Sequence, residues 1–321
     1  MSLGVPVFNG ERYLAETLKS LCEQSFADLE IVVVDNASTD ATESICRAAA
    51  AKDPRVRYSR NASNLGAAAN FNRAFQAARG KYFKWVAHDD FLGPDFVARC
   101  VEELEQHPDA VLALTRACVL DENDRHLGEF SPLRPESGSA SAVVRYRDLV
   151  LNDRHCYEVF GLARRDALGK TRLISSYIGS DRVLRVELGL LGPFREAPGV
   201  ELFFRDHPER SIRAMPSHHQ RAKWFDPKNR SFFVFPHWRI PREYARSLRG
   251  APLSLSQKVA CHRSVGRWFF SDLNFARMAA DVAIGIAPWS WKLAYRASGV
   301  AARPSARTEP PAAPPDPGVS R

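Results

Sequence analysis

The stretch Ile31-Val32-Val33-Val34-Asp35-Asn36-Ala37-Ser38-Thr39-Asp40 decides the fold class of this chain. Four consecutive β-branched residues are typical of a strand that is covered on both faces, as strands of parallel sheets are. The polar residues that follow favour a turn and a helix N-terminus, so we expect a helix over about residues 40–51. The stretch therefore predicts one strand–turn–helix unit of an α/β protein.

Similar units lie on both sides of this stretch. Apolar runs predict strands at 3–8, 56–58, 81–86 and 111–114, and helical spacing predicts helices at about 11–24, 65–79 and 94–107. Strands that alternate with helices predict a Rossmann-like, mostly parallel sheet with helices on both faces. Further along, a strand is expected near 159–162, a helix after Ser180 and a strand at 202–205. Residues 120–156 are polar and contain a Ser-, Pro- and Gly-rich run, which predicts an irregular, mobile loop.

Polar side chains collect where the predicted strands end. They are Asn9, Asp35, Asp40, His88, Asp89 and Asp90. In open α/β sheets the ligand crevice lies outside the carboxyl ends of the strands. These residues therefore mark the expected site, although Asp40 is also a natural N-cap for the helix that follows it.

The net charge of +8 is confined to one part of the chain. Residues 201–300 carry 17 Lys and Arg against 7 Asp and Glu, whereas the first 200 residues are slightly acidic. Basic and aromatic residues alternate over 217–247, which is compatible with a ligand-binding platform or with a helical subdomain that packs its own aromatics. Nucleic-acid binding is disfavoured because no motif of that class accompanies the charge. Residues 289–296 resemble an interfacial helix, so peripheral membrane contact is a further possibility.

The order and spacing of several short motifs resemble the family 2 glycosyltransferases. They are Val5-Pro6-Val7-Phe8-Asn9-Gly10, the helix with Ser20 and Gln24, the stretch 31–40, Asn64-Leu65-Gly66, Gly80-Lys81-Tyr82 and Asp89-Asp90. The resemblance covers about residues 3–210. It implies a GT-A fold and transfer of a sugar from a nucleotide-sugar donor, a UDP-sugar being favoured, to a glycan or lipid-linked acceptor. It also implies Mg²⁺ or Mn²⁺ as a cofactor.

The resemblance assigns donor-binding roles to residues of the N-terminal half. Pro6, Asn9 and Asp35 are expected around the nucleotide base, with turn formation as the alternative for each. Asn64 and Gly66 open a helix, whose free N–H groups favour an anionic ligand. Asn70 and Asn72 lie on that helix, where facing the nucleotide and facing solvent are equally compatible with the pattern.

Asp89 and Asp90 are the key acidic pair. A divalent ion held by carboxylates neutralises the charge of a leaving diphosphate, and Asp supplies the oxygen ligands that such ions prefer. The family motif Asp-x-Asp reads Ala87-His88-Asp89 here, so His88 is a candidate for part of the missing contact. Asp90 is a candidate for metal binding and also for capping the next helix.

Two later motifs complete the predicted site. Gly179-Ser180-Asp181 precedes a helix, and the resemblance makes Asp181 the general base that deprotonates the acceptor hydroxyl, which gives inversion. Its alternative role is an N-cap. Arg205 and His207 resemble the Arg-x-His signature of the family. Arg205 is expected on the diphosphate and His207 on the metal or a phosphate, with an exposed loop position as the alternative for His207. Ser211 and Arg213 are weaker candidates.

We expect three segments: a GT-A domain at 1–215, with a donor half at 1–118 and an acceptor half at 119–215, a basic helical extension at 216–301, and a disordered Pro-rich tail at 302–321. Scattered cysteines and an N-terminus without signal-peptide features favour a cytoplasmic protein, with contact to the inner membrane face as an option. The function classes left open are an inverting, metal-dependent glycosyltransferase in polysaccharide or glycoconjugate synthesis, a sugar nucleotidyltransferase, and a non-catalytic nucleotide-sugar-binding protein. The Gly-rich signature of nucleotidyltransferases is missing, which argues against the second.

Overall fold

The structure is a computed structural model, and it describes residues 1–152, 156–215, 217–231, 234–271 and 273–286. Its strands are β1 (Ser2–Val7), β2 (Glu30–Asp35), β3 (Val56–Arg60), β4 (Tyr82–Trp85), β5 (Phe91–Leu92), β6 (Leu112–Asp121), β7 (His126–Phe130), β8 (Leu162–Arg164) and β9 (Phe194–Asp206). Its helices are α1 (Leu14–Cys22), α2 (Thr42–Lys52), α3 (Ala67–Ala77), α4 (Phe96–Gln106), α5 (Ala142–Leu151), α6 (Arg165–Gly169), α7 (Ser180–Leu191), α8 (Ser211–Ala214), α9 (His218–Phe225), α10 (Pro236–Ser247), α11 (Leu255–Trp268) and α12 (Asn274–Ile286).

One sheet runs through the molecule in the order β3-β2-β1-β4-β8-β6-β9-β5, and β7 pairs with β6. The strands β3, β2, β1 and β4 are mutually parallel, as the alternating pattern predicts. β8 then pairs antiparallel with both β4 and β6, while β9 runs parallel to β6. Because these strands are parallel, the ends of β1, β2 and β4 lie at one edge of the sheet. The end of β9 lies in the same region, where Arg205 donates a hydrogen bond to the Asp89 carbonyl.

The prediction of an irregular loop at 120–156 was wrong. β6 continues to Asp121 and forms a hairpin with β7 through a turn in which Asp124 has a φ of 61°. α5 then buries Tyr146, Leu149 and Val150 at helical spacing. The error has a physical cause. Among the described residues β7 pairs with β6 alone and exposes much of its surface, so its composition is that of a loop. The strand expected near 159–162 is a 3₁₀ helix at Tyr157–Phe160, followed by β8.

The helices after residue 235 share the core of the sheet domain. The Tyr146 hydroxyl of α5 donates to the carbonyl of Tyr244 in α10 at 2.8 Å. Trp268 of α11 is fully buried and makes an edge contact with the Tyr244 ring, with centroids 6.5 Å apart. Apolar burial drives helix packing of this kind. α10 and α11 therefore pack against α5 and α7 and stabilise them.

No helix of the described residues is both long and apolar enough to cross a membrane. The segment 289–296, for which the sequence predicts an interfacial helix, and the predicted tail at 302–321 lie outside the described residues.

Lys84 is a buried lysine on β4. It is 1% exposed, its amino group donates to the Phe160 carbonyl, and it lies 4.5 Å from the centre of the Phe96 ring. Burial lowers the pKa of Lys84 to about 7. The folded state therefore binds fewer protons than the unfolded chain between about pH 7 and pH 10.5, and stability rises with pH in that window.

Replacing Lys84 with Met is expected to remove this pH dependence. Between about pH 6 and pH 9 the free energy of unfolding of the wild type should rise by roughly 2 to 3 kcal/mol relative to Lys84→Met. Urea unfolding at both pH values measures the difference. Lys52→Met, at an exposed position of α2, is the matched control and should track the wild type. Parallel pH profiles for Lys84→Met and the wild type would contradict the depressed pKa.

Candidate active site

The turn after β4 is held in place from two other elements. The Thr17 hydroxyl of α1 lies 2.9 Å from the His88 carbonyl oxygen and 2.8 Å from that of Asp90. From β9, the Arg205 guanidinium donates to the Asp89 carbonyl at 2.9 Å, and the Arg205 backbone N–H donates to Asp90 Oδ1 at 3.0 Å. The turn that carries the key acidic pair is therefore fixed on both sides.

The side chain of Asp89, in this turn, pairs with the side chain of His207. His207 Nε2 lies 2.9 Å from Asp89 Oδ2, and the imidazole is fixed against the Tyr13 ring, with centroids 4.8 Å apart. Burial alone would raise the pKa of Asp89, but the hydrogen bond to His207 and the electrostatic influence of His88, His207 and Arg210 outweigh it and lower the pKa to about 2. Asp89 is therefore a charged carboxylate at neutral pH.

Asp90 differs from its neighbour in environment. It is 6% exposed, and its carboxyl group accepts the Arg205 N–H beneath the turn. Burial, and then the charge of Asp89, raise the pKa of Asp90. The structure thus brings Asp89 and His207 together as predicted ligands and places Asp90 below them.

The donor set suits a divalent ion that a ligand helps to hold. Among the described residues, no three His, Cys, Asp or Glu side chains converge as a complete metal cluster. Asp89 and His207 supply two donors 2.9 Å apart, and adjacent ligands of an octahedral ion at 2.0–2.1 Å lie about that far apart. Two protein donors fit an ion whose other positions are filled by phosphate oxygens and water.

Arg205 is directed into the protein. It is 1% exposed, and each of its three guanidinium nitrogens has a protein acceptor: Nη1 the Asp89 carbonyl, Nη2 Glu16 at 2.7 Å and Nε Asp124 at 2.9 Å. Its guanidinium also lies over the Tyr13 ring at 4.6 Å. These contacts brace the turn, while a contact with a diphosphate stays a prediction.

Arg210 is a site residue that the sequence reasoning missed. Burial alone would lower its pKa, but the neighbouring Asp90, Tyr157 and Asp89 outweigh this and raise it. Its guanidinium has no hydrogen bond or ion pair within the described part of the chain, in contrast to Arg213, which pairs with Asp206 at 2.6 Å. Arg210 is thus a cation beside Asp89 that is available to an anionic ligand; its position in a polar loop gave no signal of this.

Asp35 is fully buried at the end of β2. Its carboxylate accepts hydrogen bonds from the Ser38 N–H at 2.9 Å, the Tyr58 hydroxyl at 2.9 Å and Arg60 Nη1 at 2.7 Å. Burial and this bond to Asp35 raise the pKa of Tyr58 to about 12. The contacts match the turn-forming alternative, and recognition of a base N–H stays a prediction.

The other predicted donor residues of the N-terminal half also support the turns. Pro6 lies on β1 opposite Val34. Asn9 has a φ of 52°, and its side chain accepts the Thr39 N–H at 2.9 Å. Asp40 accepts the N–H groups of Thr42 and Glu11, both at 3.0 Å, as a cap would.

An asparagine network links β2 to the start of α3. Asn64 Oδ1 accepts from Asn36 at 2.9 Å and from the Gly66 N–H at 2.8 Å, and Asn61 donates to both Asn36 and Asn70. Asn70 in turn donates to the Val34 carbonyl at 2.9 Å, so it faces the sheet, while Asn72 donates to the Ile174 carbonyl. The sequence marked Asn64, Asn70 and Asn72 singly and missed both Asn61 and the network.

Gly66 is required where α3 begins. Its φ is +86°, and a Cβ there would lie 2.5 Å from the Phe225 carbonyl oxygen and 2.6 Å from Pro227. The end of α9 therefore packs directly on the predicted phosphate-binding turn. His88 is partly buried, and its ring lies against Gly10, where a Cβ would lie 2.8 Å from His88 Cδ2.

Asp181 lies in the first turn of α7, after Gly179 with a φ of +82°. Its carboxylate has no hydrogen-bond or ion-pair partner among the described residues. The helix is anchored by a fully buried ion pair between Arg185 and Glu158, 3.1 Å apart. A carboxylate without a protein partner, on an anchored helix, is free to accept a proton from a bound hydroxyl.

Cys156 and Tyr157 are electrostatic neighbours of two charged residues of the site. Burial, and then the charge of Asp181, raise the pKa of the Cys156 thiol well above its usual value. The next residue, Tyr157, is an electrostatic neighbour of Arg210. Asp181 and Arg210 thus each have an electrostatic neighbour in this short segment.

The model of the family described as "Glycosyl transferase family 2" matches residues 2–172. Among curated proteins, the chain is 34% identical over 123 residues to chondroitin synthase of Escherichia coli, which is 38% of this chain and 17% of that protein. It is 33% identical over 123 residues to the uncharacterized glycosyltransferase MJ1057 of Methanocaldococcus jannaschii, 38% of this chain and 42% of that protein. The matches thus span less than half the length of these relatives.

Solved structures resemble the whole arrangement. Residues 1–349 of TarS of S. aureus, in complex with UDP-GlcNAc, have a TM-score of 0.61 at 18% identity, covering 89% of this chain and 80% of that one. The mannosyltransferase PcManGT of Pyrobaculum calidifontis, in complex with GDP-Man and Mn²⁺, has a TM-score of 0.53 at 18% identity, covering 94% and 81%. The likeness confirms the predicted GT-A fold.

Proposed function

The chain belongs to glycosyl transferase family 2, and from this premise we propose that it transfers a sugar from a nucleotide-diphosphate donor to an acceptor hydroxyl with inversion. One observation carries the proposal. The charged Asp89 lies 2.9 Å from His207, and Asp181, in the first turn of α7, has no hydrogen-bond or ion-pair partner among the described residues. A leaving-group site and a base are both needed for a single displacement, and these residues supply both.

The donor half of the site is proposed to bind the diphosphate of the donor. Asp89 and His207 would hold Mg²⁺ or Mn²⁺, which when bound neutralises charge on the departing diphosphate. Arg210 adds a positive charge beside Asp89 and would orient the same phosphates. Arg205 keeps the turn in position through the Asp89 carbonyl.

The nucleotide is proposed to lie along the ends of β1 and β2, near Asn9, Asp35 and Asn64. A UDP-sugar is favoured, since the TarS structure contains UDP-GlcNAc, while the GDP-Man in the mannosyltransferase makes guanine the alternative. Asp35 would accept a base N–H only if it shares its carboxylate with Tyr58 and Arg60.

The acceptor half is centred on Asp181. Its carboxylate would accept the proton of the acceptor hydroxyl as that oxygen attacks the anomeric carbon, and the bond to the diphosphate oxygen breaks on the opposite face. One displacement gives inversion. Because no protein group competes for Asp181 within the described residues, the carboxylate is free for this step.

We further propose a glycan or lipid-linked acceptor in polysaccharide or glycoconjugate synthesis on the cytoplasmic side, with peripheral contact to the inner membrane face. Chondroitin synthase among the relatives supports a polymer role. The basic charge after residue 200 supports an acidic acceptor or membrane.

A donor panel tests the proposed function. UDP, GDP and their common sugars are titrated with and without Mn²⁺ while the thermal unfolding midpoint and release of free nucleotide are measured. We expect one nucleotide to stabilise the fold more strongly with Mn²⁺ present and its sugar to be slowly hydrolysed. Stabilisation without any turnover would favour a binding protein, and consumption of a sugar phosphate with a nucleoside triphosphate would favour a nucleotidyltransferase.

A further inference from the structure

A basic groove lies between α10 and α11, outside the proposed site. Its volume is about 590 Å³; Arg242, Arg246, Arg249 and Lys258 supply its charged lining, and His262 also lines it. Only Arg246 has a nearby carboxylate: its Nη1 lies 3.7 Å from Glu243, which Arg172 and Arg239 also approach. Arg242, Arg249 and Lys258 have no ion pair within the part of the chain that the structure describes. The groove therefore carries uncompensated positive charge.

An apolar stripe runs along the outer face of α11 beside this groove. Leu255 and Val259 are one helical turn apart, and Phe270 follows on the same face just past the end of the helix. Their exposed fractions are 81%, 45% and 89%. Such exposure of large apolar side chains in a row is unusual for a surface that meets only water.

Basic residues flank the stripe on both sides. Lys258 and His262 lie on the groove side, and Arg263 and Arg267 follow on the other flank at 100° per residue. Leu273 and Phe275, at the start of α12, are also exposed apolar side chains, at 66% and 68%. We call the groove and the stripe together the α11 face.

We propose that the α11 face docks on an anionic lipid bilayer, with lipid phosphates in the groove and Leu255 and Phe270 at the boundary of headgroups and acyl chains. An apolar row with basic flanks is the pattern of interfacial helices, and each Lys or Arg near an anionic surface adds to binding. The inference rests on the α11 face alone and holds whether or not the proposed transfer reaction does.

Two other occupants fit the α11 face less well. A soluble polyanion would match the groove but leave the apolar stripe in water. A second copy of the chain, packed through the same face, would bring the basic groove against itself, since a two-fold interface uses the same patch on both partners. A bilayer supplies phosphates and an apolar layer at once.

Vesicle sedimentation of the full chain tests the charge contribution. We expect binding to phosphatidylcholine vesicles that contain added phosphatidylglycerol and little binding to phosphatidylcholine alone. The variant Arg242→Glu/Arg249→Glu/Lys258→Glu should bind the anionic vesicles roughly 100-fold more weakly. Lys52→Glu/Arg79→Glu/Lys170→Glu, at exposed basic positions elsewhere, makes the same change in net charge and should bind like the wild type. An equal loss in both triple variants would overturn the proposal.

A second pair of variants tests the apolar stripe. Leu255→Ser should weaken vesicle binding several-fold, whereas Leu127→Ser, at a 53% exposed position of β7, should not. All variants should keep the donor-induced thermal shift, which separates failure of docking from failure of the proposed function. A wild type that ignores anionic vesicles but binds soluble polyphosphate would assign the groove to a soluble polyanion and overturn the membrane assignment.

Discussion

Asp89→Asn is expected to lower kcat/KM for sugar transfer by about 100- to 1000-fold, because it removes the one charged carboxylate of the Asp89–His207 pair. Asn keeps the size of the side chain and can still hydrogen-bond His207, so the turn should remain folded. What it loses is the negative charge that would hold the divalent ion. The expected signature is a rise in the Mn²⁺ concentration that gives half-maximal activity.

Asp28→Asn is the matched control for this variant, since Asp28 is exposed and lies outside the site. It should have the activity and the Mn²⁺ dependence of the wild type. If Asp89→Asn retains activity within a few-fold and an unchanged Mn²⁺ titration, the donor site has been assigned to the wrong carboxylate. Circular dichroism of both variants checks that the fold is intact.

Asp181→Asn is expected to lower kcat for transfer by about 100- to 10,000-fold, the usual contribution of a general base. Donor affinity should be unchanged, because no hydrogen bond or ion pair joins Asp181 to the Asp89 turn among the described residues. The variant therefore separates chemistry from binding: the donor-induced thermal shift stays, while product formation with acceptor is lost.

Asp166→Asn is the control for Asp181→Asn, because Asp166 also lies in the first turn of a helix, α6, and is exposed. It should leave kcat unchanged. A pH–rate profile gives the decisive reading. The limb on which the wild-type rate rises with pH should flatten in Asp181→Asn, and an unchanged limb would mean that another group accepts the proton.

The fold was predictable where a strand is covered on both faces. The run Ile31–Val34 is unbroken and β-branched, and its neighbours repeat the pattern, so the parallel block followed from the sequence. β7 and α5 were missed, since an exposed edge strand and the turn after it have the composition of a loop. Local pattern carries little information about pairing with a distant strand.

The site was predictable in part. Asp89, His207 and Asp181 stand at element ends that the sequence marks, and the structure brings the first two within 2.9 Å. Spacing could not tell which arginine faces a ligand: Arg205 is turned inward to Glu16 and Asp124, whereas Arg210 has no partner among the described residues. The sequence also did not predict that Lys84 is buried, because its burial depends on β8 and the preceding 3₁₀ helix, which cover β4.

The packing of Phe225 and Pro227 on Gly66 constrains how such proteins can recombine. The turn that begins α3 and the end of α9 are 159 residues apart in sequence, yet a single methyl group at Gly66 would collide with both partners. Consider a chimera with the donor half of one relative and the C-terminal helices of another. Its α3 turn and the end of its α9 would come from different proteins, so their surfaces would not be complementary. We therefore expect a chimera to fold only when the α3 turn and the end of α9 come from the same relative.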